Sequence, residues 1–186
     1  RSDVFRIGAY QEFHSRTESG RKRDEARSLH SSRRTGSLGH ETGEDPALAS
    51  CRAQKDMPSF SQKSLSRLDT CHPDLQRLFI KIIETHDCTI LCGHRGKDAQ
   101  EEAFRNGRSK ARWGESKHNY EPSCAIDVMP YPINWSDIPG LKSFSDFVKE
   151  TAKLSGIGIR WGGDFKGFFD GPHYELTDCQ HCKIPE

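Results

Sequence analysis

The sequence predicts an α+β domain. Three observations predict it: an apolar stripe of helical period, short β-prone runs cut off by glycine or proline, and further helical stretches lying between those runs. The stripe is Leu75, Leu78, Phe79, Ile82 and Ile83, at i, i+3, i+4, i+7 and i+8. Pro73-Asp74 suits the first turn of that helix, because proline lacks only a donor that has no partner there and aspartate faces the positive end of the helix dipole. Cys88–Cys92 (Cys-Thr-Ile-Leu-Cys) reads as a strand stopped by Gly93. Lys97–Asn106 reads as a second helix with Gly107 as its C-cap. Residues 108–123 are polar and loop-like, and Ala125–Met129 is a strand stopped by Pro130. Ser143–Leu154 is a third helix with Phe144, Phe147 and Val148 inward, followed by Gly156. Gly158–Trp161 and Tyr174–Leu176 complete the set as short strands.

The 186 residues suffice for one ordinary domain plus an extension. Between His14 and Asp45 only Ala26, Leu29 and Leu38 are apolar. Such a stretch buries too little surface to offset its ordering entropy. Residues 1–57 are therefore expected to be a disordered or non-native polar extension, with Met57 as a candidate natural start. A folded domain over 58–178 and a short tail over 179–186 complete the division. Lys and Arg total 28 against 27 for Asp and Glu, a balance that argues against a dedicated nucleic-acid binder. Arg21-Lys22-Arg23 is interleaved with Asp24 and Glu25 and reads as a solvated segment. No apolar run is long enough to span a membrane, and no apolar h-region marks a secretory signal. Seven cysteines at irregular spacing do not form a disulfide framework, so free thiols are expected. Cys179-Gln180-His181-Cys182 resembles half of a metal knuckle without a second ligand pair, and a frayed reduced tail is the preferred reading.

The chemistry concentrates in the last third. His118 is followed by Asp127 and then by His173. Two imidazoles and a carboxylate form a three-ligand set for a catalytic zinc, leaving one position for water. Asp170 stands three residues before His173, where a second carboxylate can handle that water's proton. Spacing alone leaves unrelated surface histidines as an open alternative.

Further residues carry a resemblance. Ser116-x-His118, Ala125-Ile126-Asp127, Trp161-Gly162-Gly163-Asp164 and Asp170-Gly171-Pro172-His173-Tyr174-Glu175-Leu176 resemble the zinc peptidases of bacteriophage endolysins that cleave the L-alanyl-D-glutamate bond of peptidoglycan. D-alanyl-D-alanine carboxypeptidases and the vancomycin-resistance D,D-dipeptidases belong to the same group. Gly93-His94-Arg95 with Gln100, Asn106-Gly107 before Ser109-Lys110, and Ser61–Leu68 leading to His72-Pro73-Asp74-Leu75 fit the same pattern, which covers about residues 58–177. One departure stands out. Many members place the aspartate seven residues after the first histidine, within His-x-x-Gly-x-Ala-x-Asp, whereas here the interval is nine, with Glu121-Pro122-Ser123 in the turn.

The resemblance implies His118, Asp127 and His173 as Zn2+ ligands, Asp170 as catalytic base, Arg95 as the substrate-orienting, oxyanion-stabilising arginine, and Ser116 as a residue beside the substrate. Bland alternatives stand beside these roles: Arg95 paired with Asp98, Asp170 as a turn former, Ser116 as a loop hydroxyl. Glu175 is either a partner that holds a histidine or a salt-bridged structural residue, the latter being preferred. Trp161 and Tyr131 line the groove or pack in the core. His72, His86 and His94 are bystanders.

The expected architecture is thus helices packed on a small antiparallel sheet that carries a zinc site, the D-Ala-D-Ala carboxypeptidase and hedgehog-like fold. The expected function is zinc-assisted hydrolysis of peptidoglycan peptide stems at L-Ala-D-Glu. The alternatives are a D-Ala-D-Ala carboxypeptidase or dipeptidase, and a non-catalytic zinc module that binds cell wall or peptide. A monomer is expected, made in the cytoplasm without a signal, released to the wall by a holin-like pore, with no nucleic-acid partner.

Overall fold

The computed structural model describes residues 58–179 and 182–185. The expectations for residues 1–57 lie outside these described residues.

Among the described residues, four helices and four strands follow in chain order. Helix α1 spans Gln62–Leu68, and α2 spans Pro73–Ile83. Strand β1 is Cys88–Cys92 and α3 is Lys97–Arg105. A 3-10 turn at Lys117–Asn119 precedes β2, Ala125–Pro130. Helix α4 is Ile138–Leu154, β3 is Ile159–Trp161, a second 3-10 turn is Gly162–Asp164, and β4 is His173–Leu176. The strands form one antiparallel sheet in the order β1-β2-β4-β3. The fold is the predicted α+β class.

Local chemistry explains the element ends. His72 caps α2 by accepting from the Asp74 N–H through its Nδ1 at 3.2 Å. Gly107, at φ 67°, follows α3 as the residue able to take the left-handed conformation at low cost. Helix α4 begins earlier than the predicted Ser143. The Asp137 carboxylate accepts from the Gly140 N–H at 2.9 Å, and Pro139 sits in the first turn, so a cap and a proline set the start ahead of the apolar stripe.

The sheet has two faces of different character, as period-2 alternation demands. Ile126 and Val128 of β2 and Tyr174 and Leu176 of β4 pack toward the helices, where the fully buried Leu75, Leu78, Phe79 and Ile82 of α2 and Val148 of α4 complete the core. The Tyr174 ring meets Phe79 edge-on with centroids 5.7 Å apart. Burying each such side chain contributes roughly 1.5–3 kcal/mol. On the other face stand Asp127, His173 and Glu175, all buried. The core layer thus fixes a rigid sheet whose opposite face carries the polar residues.

Two further differences from the sequence reading concern cysteine. Cys124 and Cys179 are joined by a disulfide, with Cα atoms 6.4 Å apart, so these two are not free thiols. Beyond β4, Lys183 forms an antiparallel bridge with Glu121, whose N–H donates to the Lys183 carbonyl at 2.8 Å.

Candidate metal centre and active-site cleft

Sheet register brings the site together. Cys92 of β1 lies opposite Asp127 of β2, and Asp127 lies opposite His173 of β4. Opposed side chains on neighbouring strands lie about 4.5–5.5 Å apart at Cβ, which is within reach of a shared ligand. His118 arrives from the 3-10 turn. Ser116 caps that turn by accepting from the His118 N–H at 3.3 Å, and Asn119 Oδ1 accepts in return from the Ser116 N–H at 3.3 Å. The two-residue-longer turn therefore does not displace Asp127. Glu121-Pro122, joined by a cis peptide, is accommodated outside the sheet, with Ser123 donating to the Thr70 carbonyl at 2.9 Å.

Three donor atoms form a near-equilateral triangle. His118 Nε2 is 3.1 Å from Asp127 Oδ1 and 3.2 Å from His173 Nδ1, and His173 Nδ1 is 3.2 Å from the same Asp127 oxygen. Tetrahedral ligands at zinc bond lengths of about 2.0 Å stand about 3.3 Å apart, so this triangle has the size of one face of such a site. The outer ring nitrogens settle the tautomers. His118 Nδ1 faces the Gly93 carbonyl at 2.7 Å, and His173 Nε2 faces Glu175 Oε2 at 3.1 Å. Both partners are acceptors, so those nitrogens carry the protons and both lone pairs converge on Asp127. Converging lone pairs and a carboxylate repel one another without a cation among them. The donor set therefore fits a divalent ion with nitrogen and oxygen preference.

The electrostatics agree. Burial alone would lower the His118 pKa, but the Asp127 carboxylate outweighs it and pushes the imidazole up to about 10. His173 is likewise raised against its burial by bonds to Asp127 and Glu175. Asp127 is held well below its usual range, its burial being overcome by His118 and His173. Glu175, despite its burial, is brought down to about 2 by His173 and Arg160. The Asp127 carboxylate thus draws positive charge, as a proton or a cation, to the two imidazoles beside it.

Arg95 turns toward the triangle. Its Nη2 donates to Asp127 Oδ2 at 3.3 Å and its Nη1 to Gln100 Oε1 at 3.3 Å. Gln100 is fully buried and is itself fixed by Ser109 Oγ at 2.9 Å and the Ala111 carbonyl at 2.6 Å. The Asn119 side chain donates to the Arg95 carbonyl at 3.0 Å, and the Arg95 N–H donates to the His118 carbonyl at 2.8 Å. Arg95 and His118 are thus held as one unit.

Asp170 is half-buried on a turn pinned from three sides. Its N–H donates to the Gly162 carbonyl at 3.1 Å, Trp161 Nε1 donates to the Gly171 carbonyl at 2.7 Å, and the Val128 N–H donates to the Pro172 carbonyl at 2.8 Å. A Cβ at Gly162 would lie 2.9 Å from the Cβ atoms of both Asp170 and His173, so only glycine permits this approach. Trp161 is a core residue that also anchors this turn, whereas Tyr131 is exposed.

Arg95, Ser116, His118, Asp127, Asp170 and His173 all line one cleft of about 730 Å³. The residues to which the resemblance gave catalytic, substrate or metal roles are therefore brought together, whereas Trp161 and Tyr131 do not line the cleft. Glu175 satisfies both of its alternative readings, since it holds His173 and also pairs with Arg160. His72 is a helix cap and His86 stacks on Phe147 at 3.7 Å. Cys92 was missed. Its sulfur stands with His118 and Asp127, the ligand atoms within 4.8 Å of one another, and Arg95 Nη2 lies 3.5 Å from it. The only signal in the sequence was its place at the end of a strand, which acquires meaning once that strand is known to pair with Asp127.

Comparison with known proteins decides the family. The profile described as phage L-alanyl-D-glutamate peptidase matches residues 57–177. The chain belongs to that family. It is 34% identical over 103 residues to the peptidoglycan L-alanyl-D-glutamate endopeptidase CwlK of Bacillus subtilis (strain 168), covering 48% of this chain and 60% of that protein. This chain therefore matches less than two thirds of that relative's length. Among solved structures it is similar to the L-Ala D-Glu endopeptidase ChiX of Serratia marcescens, with 28% identity and a TM-score of 0.57 over 67% of this chain and 94% of that one. The family match ends at the close of β4 and leaves out the Cys179–Lys183 segment.

Proposed function

We propose that this member of the phage L-alanyl-D-glutamate peptidase family is a zinc peptidase that hydrolyses the L-Ala-D-Glu bond in the peptide stems of bacterial peptidoglycan. The observation that carries the reading is the triangle of His118, Asp127 and His173 donor atoms on the floor of a cleft that Asp170 and Arg95 also line. His118, Asp127 and His173 would hold the ion. Zinc supplies Lewis acidity there, acidifying water toward a pKa of about 7 and polarising a carbonyl.

The chain's own residues do the rest. Asp170 takes the proton from the attacking water and then delivers it to the departing amine. Arg95 stabilises the negative charge that develops on the carbonyl oxygen, a contribution of roughly 2.7–4 kcal/mol for one such donor. Its planar fork is anchored by Asp127 and Gln100, so its charge is already oriented before substrate arrives. Ser116 borders the substrate while its hydroxyl caps the turn that presents His118. A purely structural ion needs neither a pinned Asp170 nor an arginine held against the ligand carboxylate, which favours the enzyme over a non-catalytic wall-binding module.

The cationic rim supports an acidic peptide as substrate. Arg108, Lys110 and Lys166 stand on the cleft, with Lys110 5.0 Å above the Phe168 ring. Peptidoglycan stems carry carboxylates that such a rim attracts. No helix among the described residues is long and apolar enough to cross a membrane. The reading places the site of action at the cell wall, reached from the cytoplasm through a holin-like pore.

Mass spectrometry of purified peptidoglycan digested by the full chain, with and without prior chelation, tests this. Chelator-sensitive release of stems beginning with D-glutamate is expected. Free D-alanine with Ala-Glu bonds intact would instead establish the carboxypeptidase reading, and no cleavage at all would establish the binding module.

A further inference from the structure

A second group of side chains able to hold a metal ion stands outside the cleft lining. Cys124, immediately before β2, is fully buried, with its carbonyl accepting from the Leu176 N–H at 2.9 Å. Cys179 and the buried Cys182 come from the segment beyond β4. The three sulfurs all lie within 4.8 Å of one another. The arrangement is fixed at both ends: β2 holds Cys124, and the Glu121–Lys183 bridge holds the residue next to Cys182.

We propose that Cys124, Cys179 and Cys182 form, when reduced, a second metal site that takes a thiophilic divalent cation of the zinc class. Three features carry the assignment. Cys179-x-x-Cys182 has the ligand spacing of a zinc knuckle, and the fold supplies in Cys124 the third ligand that the linear sequence lacks. The ligand type is uniformly soft thiolate, opposite in preference to the nitrogen and oxygen set of the cleft. A disulfide between Cys124 and Cys179 engages two sulfurs and leaves Cys182 buried beside them, whereas an ion engages all three.

The chemistry balances in two steps. A dithiol reductant donates two electrons and two protons to the Cys124–Cys179 bond and leaves as its own cyclic disulfide. The cation then displaces the three thiol protons, which pass to buffer. The ion clips the final segment onto the turn between His118 and Asp127, where the interval is longer than the common family pattern. The segment that carries two of the three ligands lies beyond the family match at residue 177. Two of its three ligands therefore lie outside the residues that the family profile matches, and the site is independent of the proposed catalysis.

Titrating the reduced full-length chain with Co2+ tests the site, reading near-ultraviolet sulfur-to-metal charge transfer alongside metal per chain. The expected result is an ion taken up beyond that of the cleft, with a charge-transfer band. Both should be lost in Cys182→Ser, which leaves the Cys124–Cys179 pair intact. Cys179→Ser is a second variant outside the core strand and should lose the same band. Cys92 stands beside His118 and Asp127, so a band that persists undiminished in both variants would belong there and would overturn the proposal. Uptake of the cleft ion alone, with no band, would overturn it equally. Failure of the cleft to bind Co2+ while the band survives would count against the catalytic reading alone.

Discussion

Glu175 Oε2 accepts a hydrogen bond from His173 Nε2 at 3.1 Å, from a position two residues along the same strand and therefore on the same sheet face. The same carboxylate accepts from Arg160 Nε at 3.0 Å and lies 3.7 Å from Lys117 Nζ. Glu175 fixes the proton on the outer nitrogen of His173 and leaves the inner lone pair for a metal. Glu175→Ala should weaken zinc affinity about 10–100-fold, as measured by competition with a chelating dye. Glu175→Gln, which retains an acceptor oxygen, should lose less. Equal affinity in all three proteins would remove Glu175 from this role.

Asp170 and the triangle should separate metal binding from chemistry. Asp170→Asn keeps the size of the side chain and the backbone bonds of its turn. Hydrolysis should fall by about 10²–10⁴, with zinc content per chain unchanged. Asp127→Asn should lose zinc as well as activity. Metal analysis run beside product assay distinguishes the two, and an Asp170→Asn protein that hydrolyses at the wild-type rate would exclude Asp170 as the base.

Gly93 joins local backbone geometry to the site. A Cβ there would collide with the Arg67 carbonyl and Thr70 Oγ1 and lie 2.9 Å from Cys71 Sγ, while the Gly93 carbonyl faces His118 Nδ1. Gly93→Ala must push the end of β1 away from α1. Loss of about 1–3 kcal/mol of stability is expected, with zinc affinity reduced in the same variant. Denaturant unfolding and the dye titration check the two effects, and an alanine variant matching wild type in both would show that the contact relaxes freely.

Tyr174 presents the reverse case. Its hydroxyl is buried with no hydrogen-bond partner among the described residues, and burial raises its pKa. Its ring packs on Phe79 on the face opposite the cleft. Tyr174→Phe removes a desolvated polar group and should raise stability by about 1 kcal/mol without altering metal affinity. A destabilised variant in urea unfolding would contradict this.

Much of this was legible in the sequence, for identifiable reasons. The α2 stripe is visible because five buried positions repeat at helical period, and β1 and β2 because glycine and proline bound them. Helix α1 carries only two buried residues, Ser64 and Leu68, so it has no stripe to read, and its start shows only as Ser61 capping Ser64. The early start of α4 was hidden because its first turn holds Pro139 and Gly140 ahead of the first buried residue, Leu141. His118, Asp127, His173 and Asp170 were singled out by residue type, spacing and resemblance. That Arg95 turns inward to Asp127 depends on the buried Gln100–Asn119 network, which exists only in three dimensions. The Cys124–Cys179 bond and the place of Cys92 were equally out of reach, because pairing across distant segments has no local signature.

The central claim is that His118, Asp127 and His173 together bind the ion on which hydrolysis depends. A crystal structure of the zinc-loaded protein, with anomalous differences collected at the zinc edge, tests it most directly. The account predicts a peak in the cleft at about 2.0–2.2 Å from His118 Nε2, Asp127 Oδ1 and His173 Nδ1. A fully loaded, active protein with no peak among these three atoms would contradict it.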